Sequence, residues 1–291
     1  MRAARYLGFL AVASCTTAGS LEAQGTLTIA PARAMPGALV RLTLHDAAAA
    51  GDSIVAIRGT MAGEPLHFVA VGRDRHAIGA VPVDSASSVR ALVLVTHASG
   101  RTDTLHAAVE VPPLPPPTEK LDVAPRFGQK LDARTEARVA REGARALAVG
   151  RRAHQSPARW TSSFAVPRPS EISSGFGAGR TFNGQVSSRH LGVDFRGAVG
   201  APIRAANRGV VALVDRFFLG GRVVYIDHGA GVVTGYLHLS RFLVSAGDTV
   251  ERGQTIGLVG ATGRVTGPHL HWTARYGAIT VNPMDLLTLD R

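Results

Sequence analysis

Between residues 26 and 112, short apolar alternations recur, each bounded by turn residues: TLTIA, ALVRLTL, SIVAIRG, LHFVAVG, ALVLVTH and LHAAVEV. Alternation with period two is what a strand with one buried face requires, so this pattern predicts six or seven strands. Residues 132–152 (DARTEARVAREGARALAVGRR) change the period. Ala, Arg and Glu dominate there, and Leu131, Val139, Ala146 and Val149 fall near one face, as in a helix that packs its apolar side on the next domain and solvates the other. After Ser162, glycine-rich turns at Gly175, Gly177, Gly179 and Gly184 lead into apolar runs over 210–217, 223–227, 232–239, 256–259 and 269–275, the signature of a second all-β unit.

The expected fold is therefore mostly β. Strands at such spacing, with no helical pattern between them, favour an immunoglobulin-like β-sandwich over residues 24–111. Pro112 to Pro117 (PPLPPP) cannot enter a sheet interior and reads as a stiff spacer. A Pro-rich linker plus helix over 112–160 then leads to an antiparallel, barrel-like β domain over 161–291. The first residues read as an export signal over 1–23: a basic start (Arg2, Arg5), an apolar stretch from Tyr6 to Ser14 too short to span a bilayer, and a cleavage position after Ala23. Val12-Ala13-Ser14-Cys15 competes with that cut, because it resembles a lipoprotein box that would leave a lipid anchor on Cys15. No later apolar run reaches the roughly 18–20 residues of a membrane span. The expected location is the periplasm, the cell envelope or the medium.

Composition narrows the chemistry. Cys15 is the single cysteine among 291 residues, which excludes a disulfide-stapled scaffold and a thiolate zinc site, so any metal must rest on histidine and carboxylate. The net charge of +11, nearly all arginine, attracts anionic polymers without choosing among nucleic acid, lipid and cell wall.

Five of the eleven histidines fall between residues 190 and 271. In His190-Leu191-Gly192-Val193-Asp194 the two polar residues share a face, with Leu191, Val193 and Phe195 expected to turn inward. His269 and His271 share a face in His269-Leu270-His271-Trp272, and Tyr236-Leu237-His238-Leu239 repeats the alternation. Three N/O ligands plus water make a catalytic zinc site, and His190, Asp194 and His271 would supply them. The chain holds no HExxH, and Glu171 and Glu251, the glutamates of residues 161–291, lie outside the histidine motifs, so His238 and His269 are the expected acid/base pair. His228, at a strand end before a Gly turn, reads as structural. The five histidines of the first domain, His45, His67, His76, His97 and His106, are scattered singly and form no constellation.

Together the motifs ISSGFG (172–177), HLGVD (190–194), IDHG (226–229), YLHLS (236–240), GDTV (247–250), GQTIG (253–257) and TGRVTGPHLH (262–271) resemble the lysostaphin/LytM-type zinc endopeptidases of peptidoglycan. The resemblance covers residues 160–287. It implies Zn2+ on His190, Asp194 and His271, with His238 and His269 handling the attacking water or the oxyanion, and hydrolysis of peptide cross-links. Asn183 and Tyr236 are expected to line the groove. The partners it implies are peptidoglycan peptide stems, with nucleic acid the least supported. A silent envelope scaffold that binds peptidoglycan or activates another hydrolase is the alternative. A biotinyl-type carrier, suggested by GDTVERGQ (247–254), fails because residues 161–291 contain no lysine to modify.

Overall fold

The computed structural model describes residues 25–45, 52–85, 87–114, 116, 119–184 and 186–289. Residues 1–23, read above as an export signal, and with them Cys15, lie outside the described residues. The first unit is a pair of four-stranded antiparallel sheets. One runs Thr26–Ala30, Leu39–His45, Asp74–Ala80, Val69–Val71; the other runs Glu64–Pro65, Ile54–Met61, Ser88–His97, Thr102–Glu110. Alternate residues of Ser88–His97 (Val89, Ala91, Val93, Val95) meet Leu42, Leu44 and Met61 in a shared core. The strand Asp74–Ala80, central in its sheet, lies outside the apolar alternations of the sequence. Its outer end is charged and it contains Gly79, where a Cβ would stand 2.5 Å from Met61 Sδ. Close packing, not an apolar stripe, holds it.

The helix spans Ala133–Ala153, capped at its start by the Asp132 carboxylate, which accepts from Thr135 N at 2.9 Å. Ala146, Val149 and Ala153 pack against Val223, Tyr225 and Val233, as the stripe of the sequence anticipates. Among the described residues no helix is long and apolar enough to cross a membrane.

The second unit is built on a large antiparallel sheet in the order Ile172–Ser174, Val193–Arg196, His269–Tyr276, Val232–Leu239, Gly221–Gly229, Gly209–Phe217, Thr249–Val250. Its inner face, with Val193, Phe195, Tyr236, Leu270 and Trp272, packs with Ile203 and Ile256 of a smaller sheet, and with Val259, in one buried cluster. The outer face is divided. The helix covers one part, and the histidine motifs occupy the neighbouring part.

Two features depart from a linker that only spaces the domains. Glu119–Leu121 forms a strand that pairs in parallel with Gly179–Phe182 and walls the histidine groove. The sandwich also docks directly on the second unit: Glu64 accepts from Ala278 N at 3.0 Å, Tyr276 donates to Pro65 O at 2.6 Å, and Leu39 N donates to Asp285 at 2.9 Å.

Candidate metal centre

The strands Val193–Arg196 and His269–Tyr276 pair so that Asp194 stands directly opposite His271. Val193 and Phe195 fill the core on one side, so Asp194 must face the other. His190 follows the strand Val186–Arg189 and swings its ring onto the same spot. His190 Nε2 lies 3.0 Å from Asp194 Oδ1 and 2.9 Å from His271 Nδ1, and the last two atoms are 2.7 Å apart. Gly192 permits this approach: a Cβ there would fall 2.6 Å from both His271 Cε1 and Trp272 O.

The donor set fits a metal. His190 Nδ1 lies 2.7 Å from Gly175 O, a carbonyl that can only accept, so the ring proton sits on Nδ1 and Nε2 turns a lone pair inward. A carboxylate oxygen and a second imidazole nitrogen face that lone pair, an arrangement that a cation completes. Tetrahedral ligands about 2.0–2.1 Å from zinc stand roughly 3.3 Å apart, close to the observed spacing. Two imidazoles and one carboxylate with an open side match a catalytic centre, not a closed structural one.

His238 and His269 stand beside these three. Their ring centroids are 4.9 Å apart, and His238 is 5.7 Å from His271. His238 Nδ1 donates to Thr262 O at 2.8 Å and His269 Nδ1 to Gly267 O at 2.8 Å, which leaves both Nε2 atoms as acceptors. His269 Nε2 is 3.6 Å from Asp194 Oδ1. His238 reaches the groove through a β-bulge, with a positive φ of 66° that few non-glycine residues adopt.

Burial sets the charges. It pushes His271 down to about 4 despite the nearby Asp194 carboxylate, and holds His238 well below the usual histidine range, helped by repulsion from His269 and His271. Burial opposes ionisation of Asp194, but its close contacts with His190 and His271 outweigh it and keep its carboxyl far below the ordinary range. His238 and His271 are therefore neutral at pH 7, able to accept a proton or bind a metal. The groove has a volume of about 520 Å³ and includes Lys120, Arg180, Arg189 and Arg264 in its walls.

Three expectations need correction. Tyr236 does not line the groove: it is fully buried and its hydroxyl accepts from Ala206 N at 2.8 Å, because the bulge breaks the alternation that would have put it on the face of His238. Asn183 instead fastens the linker, accepting from Val123 N at 2.9 Å and donating to Val123 O at 3.0 Å. Leu191, expected inside, is 38 % exposed at the groove. His228 is buried, with Nδ1 donating to Arg208 O at 2.8 Å, as a structural histidine should be.

Sequence reasoning missed Glu119 and Arg180. Arg180 donates to Asp194 Oδ2 at 2.7 Å and to Glu119 Oε2 at 2.7 Å. Neither belongs to a motif, and only the register of the two short strands reveals them.

Residues 188–283 match the model of peptidase family M23. Peptidoglycan DD-endopeptidase ShyC of Vibrio cholerae is 48 % identical over 100 residues, 34 % of this chain and 23 % of that protein. DD-carboxypeptidase/endopeptidase Mpg of Neisseria meningitidis is 44 % identical over 97 residues, 33 % of this chain and 22 % of that protein. The chain thus spans about a quarter of the length of these curated relatives. A crystal structure from Pseudomonas aeruginosa, solved as a candidate M23 peptidase, superposes with a TM-score of 0.65 at 28 % identity, covering 87 % of this chain and 94 % of that one.

Proposed function

The C-terminal region of this chain is a peptidase family M23 domain, and from that premise we propose that the protein is a zinc-dependent endopeptidase that hydrolyses peptide cross-links of bacterial peptidoglycan in the cell envelope. The observation that carries this reading is the convergence of His190, Asp194 and His271, with His238 and His269 presenting free Nε2 atoms beside them. In this reading the first three residues hold the metal. When bound, zinc supplies Lewis acidity that polarises a carbonyl and makes water a better nucleophile near neutral pH.

The chain's own groups do the rest. His238, kept neutral by burial, accepts the proton of the attacking water at Nε2, while the carbonyl of Thr262 holds its ring and tautomer. His269, held by Gly267 O, presents its Nε2 on the same side to accept a hydrogen bond from the attacking water and orient it, and protonated His238 then returns the proton to the leaving amine. Asp194 stays ionised throughout. Lys120, Arg189 and Arg264 give the groove a positive wall suited to anionic wall polymer.

Incubation of the full chain with purified peptidoglycan, followed by mass spectrometry of the released muropeptides, tests this. The expected products carry one new amine and one new carboxyl for each cross-link lost. Unchanged muropeptides across several wall types, with zinc present, would make the protein a silent scaffold instead.

A further inference from the structure

The two metal ligands nearest the interdomain linker are tied together from behind by a ring of hydrogen bonds that runs through the linker itself. Asp194 Oδ1 faces His190 and His271, while Oδ2 is taken by Arg180 Nη2 at 2.7 Å. Arg180 Nε donates to Glu119 Oε2 at 2.7 Å, and Glu119 Oε1 accepts from Ser174 Oγ at 2.7 Å. Ser174 Oγ lies 3.2 Å from His190 Nδ1, which closes the ring on the other ligand. The parallel pairing of Glu119–Leu121 with Gly179–Phe182 sets Glu119 opposite Arg180, so the register delivers the carboxylate.

We propose that Glu119 and Arg180 are positioning residues for the metal centre, so that the linker strand, outside the residues matched by the family model, determines how tightly the catalytic domain holds its metal. The inference rests on the metal-centre reading above. Arg180 has two effects on Asp194. It occupies Oδ2, which leaves Oδ1 alone to point at the ligand cluster, and it fixes the carboxylate plane through a charge-assisted bond. Its positive charge beside a divalent cation works against metal binding, and Arg264 lies near enough to feel the same charge. The Glu119 carboxylate cancels that charge and fixes the guanidinium by its Nε. Loss of Glu119 therefore both frees Arg180 to move and leaves a bare cation behind the site. Groups that hydrogen-bond a metal ligand directly, as Arg180 does, typically change affinity by about 10–100-fold, and Glu119 acts through Arg180 and Ser174 one step further out.

The test uses the full chain and zinc with a chromophoric chelator as competitor, alongside kcat and KM on soluble muropeptides. Glu119→Gln keeps the size and removes the charge. It is expected to weaken zinc affinity about 10-fold or more and to lower kcat with little change in KM. Arg180→Ala should also weaken zinc affinity, because the lost hold on the Asp194 carboxylate outweighs the relief of its charge, Arg180→Lys should recover part of the loss, and the double variant should be no worse than the worse single one. Asn183→Gly is the control. It cuts the separate bonds between hairpin and linker at Val123, so zinc affinity should stay at the wild-type value. Wild-type affinity in Glu119→Gln overturns the proposal. So does an equal loss in Asn183→Gly, which would reduce Glu119 to a docking contact. A wild-type chain that binds no zinc overturns the metal-centre reading and this proposal with it, whereas zinc-binding wild type with unchanged variants overturns the proposal alone.

Discussion

At the residue scale, the five histidines of the second unit divide by what each ring nitrogen touches. His190 turns Nε2 toward Asp194 and His271, and His238 hydrogen-bonds a carbonyl through Nδ1 and keeps Nε2 for the groove. That difference predicts separable losses. His190→Ala removes one of the three proposed ligands, so both zinc content and activity should disappear. His238→Ala should retain close to one zinc per chain while turnover falls about 10²–10⁴-fold, the usual contribution of a positioned acid or base. Metal analysis together with amine release checks the pair, and equal zinc loss in both variants would show that His238 is a ligand. The spacing of HLH puts His269 and His271 on one face of their strand, and the pairing that sets Asp194 opposite His271 brings the carboxylate to that face. Tyr236 was misplaced by the same periodicity. A bulge with its positive φ at His238 cannot be read from the letters YLHL.

At the scale of elements, the helix Ala133–Ala153 was legible to within a residue, because a cap and an apolar stripe define it locally. The linker strand Glu119–Leu121 was not, since three residues, two of them charged, make no pattern, and their order comes from pairing with a distant hairpin. The helix also gives a prediction in which contact decides the sign. Glycine to alanine within a helix normally stabilises by about 0.5–1 kcal/mol. Gly143 faces open space, so Gly143→Ala should gain that amount. At Gly150 a Cβ would land on the Gly277 carbonyl, so Gly150→Ala should destabilise instead, with the helix pushed off the strand turn. Urea unfolding of both variants checks it; stabilisation by Gly150→Ala would show that the helix does not sit tightly on the sheet.

At the scale of the whole molecule, the mostly-β organisation and the basic charge were readable, whereas the docking of the sandwich was not, because it depends on single hydrogen bonds such as Glu64 to Ala278 and Leu39 to Asp285. Global stability should depend on pH through buried His228, which burial pushes down to about 4 although the Arg208 carbonyl bond favours its charged form. The folded value is lower than the roughly 6.5 of an unfolded chain, so the unfolded state takes up the proton first. Stability from this group is therefore intact above pH 6.5 and falls as pH drops toward 4, by about 3 kcal/mol in all. His238 and His271 act with the same sign in metal-free protein. Urea midpoints of metal-free wild type and His228→Gln at pH 7 and pH 4.5 should show a shallower acid loss in the variant; parallel losses would contradict a neutral, buried His228.

In the proposed mechanism one metal, held by His190, Asp194 and His271, enables this groove to cut peptidoglycan cross-links. Stepwise addition of zinc to metal-free full-length protein, with release of new amine termini from peptidoglycan followed at each step, tests it most directly. Activity should start near zero, rise linearly and level off at one zinc per chain, and His271→Ala should stay near zero throughout. Full turnover without metal, or zinc-dependent turnover that survives His271→Ala, would contradict it.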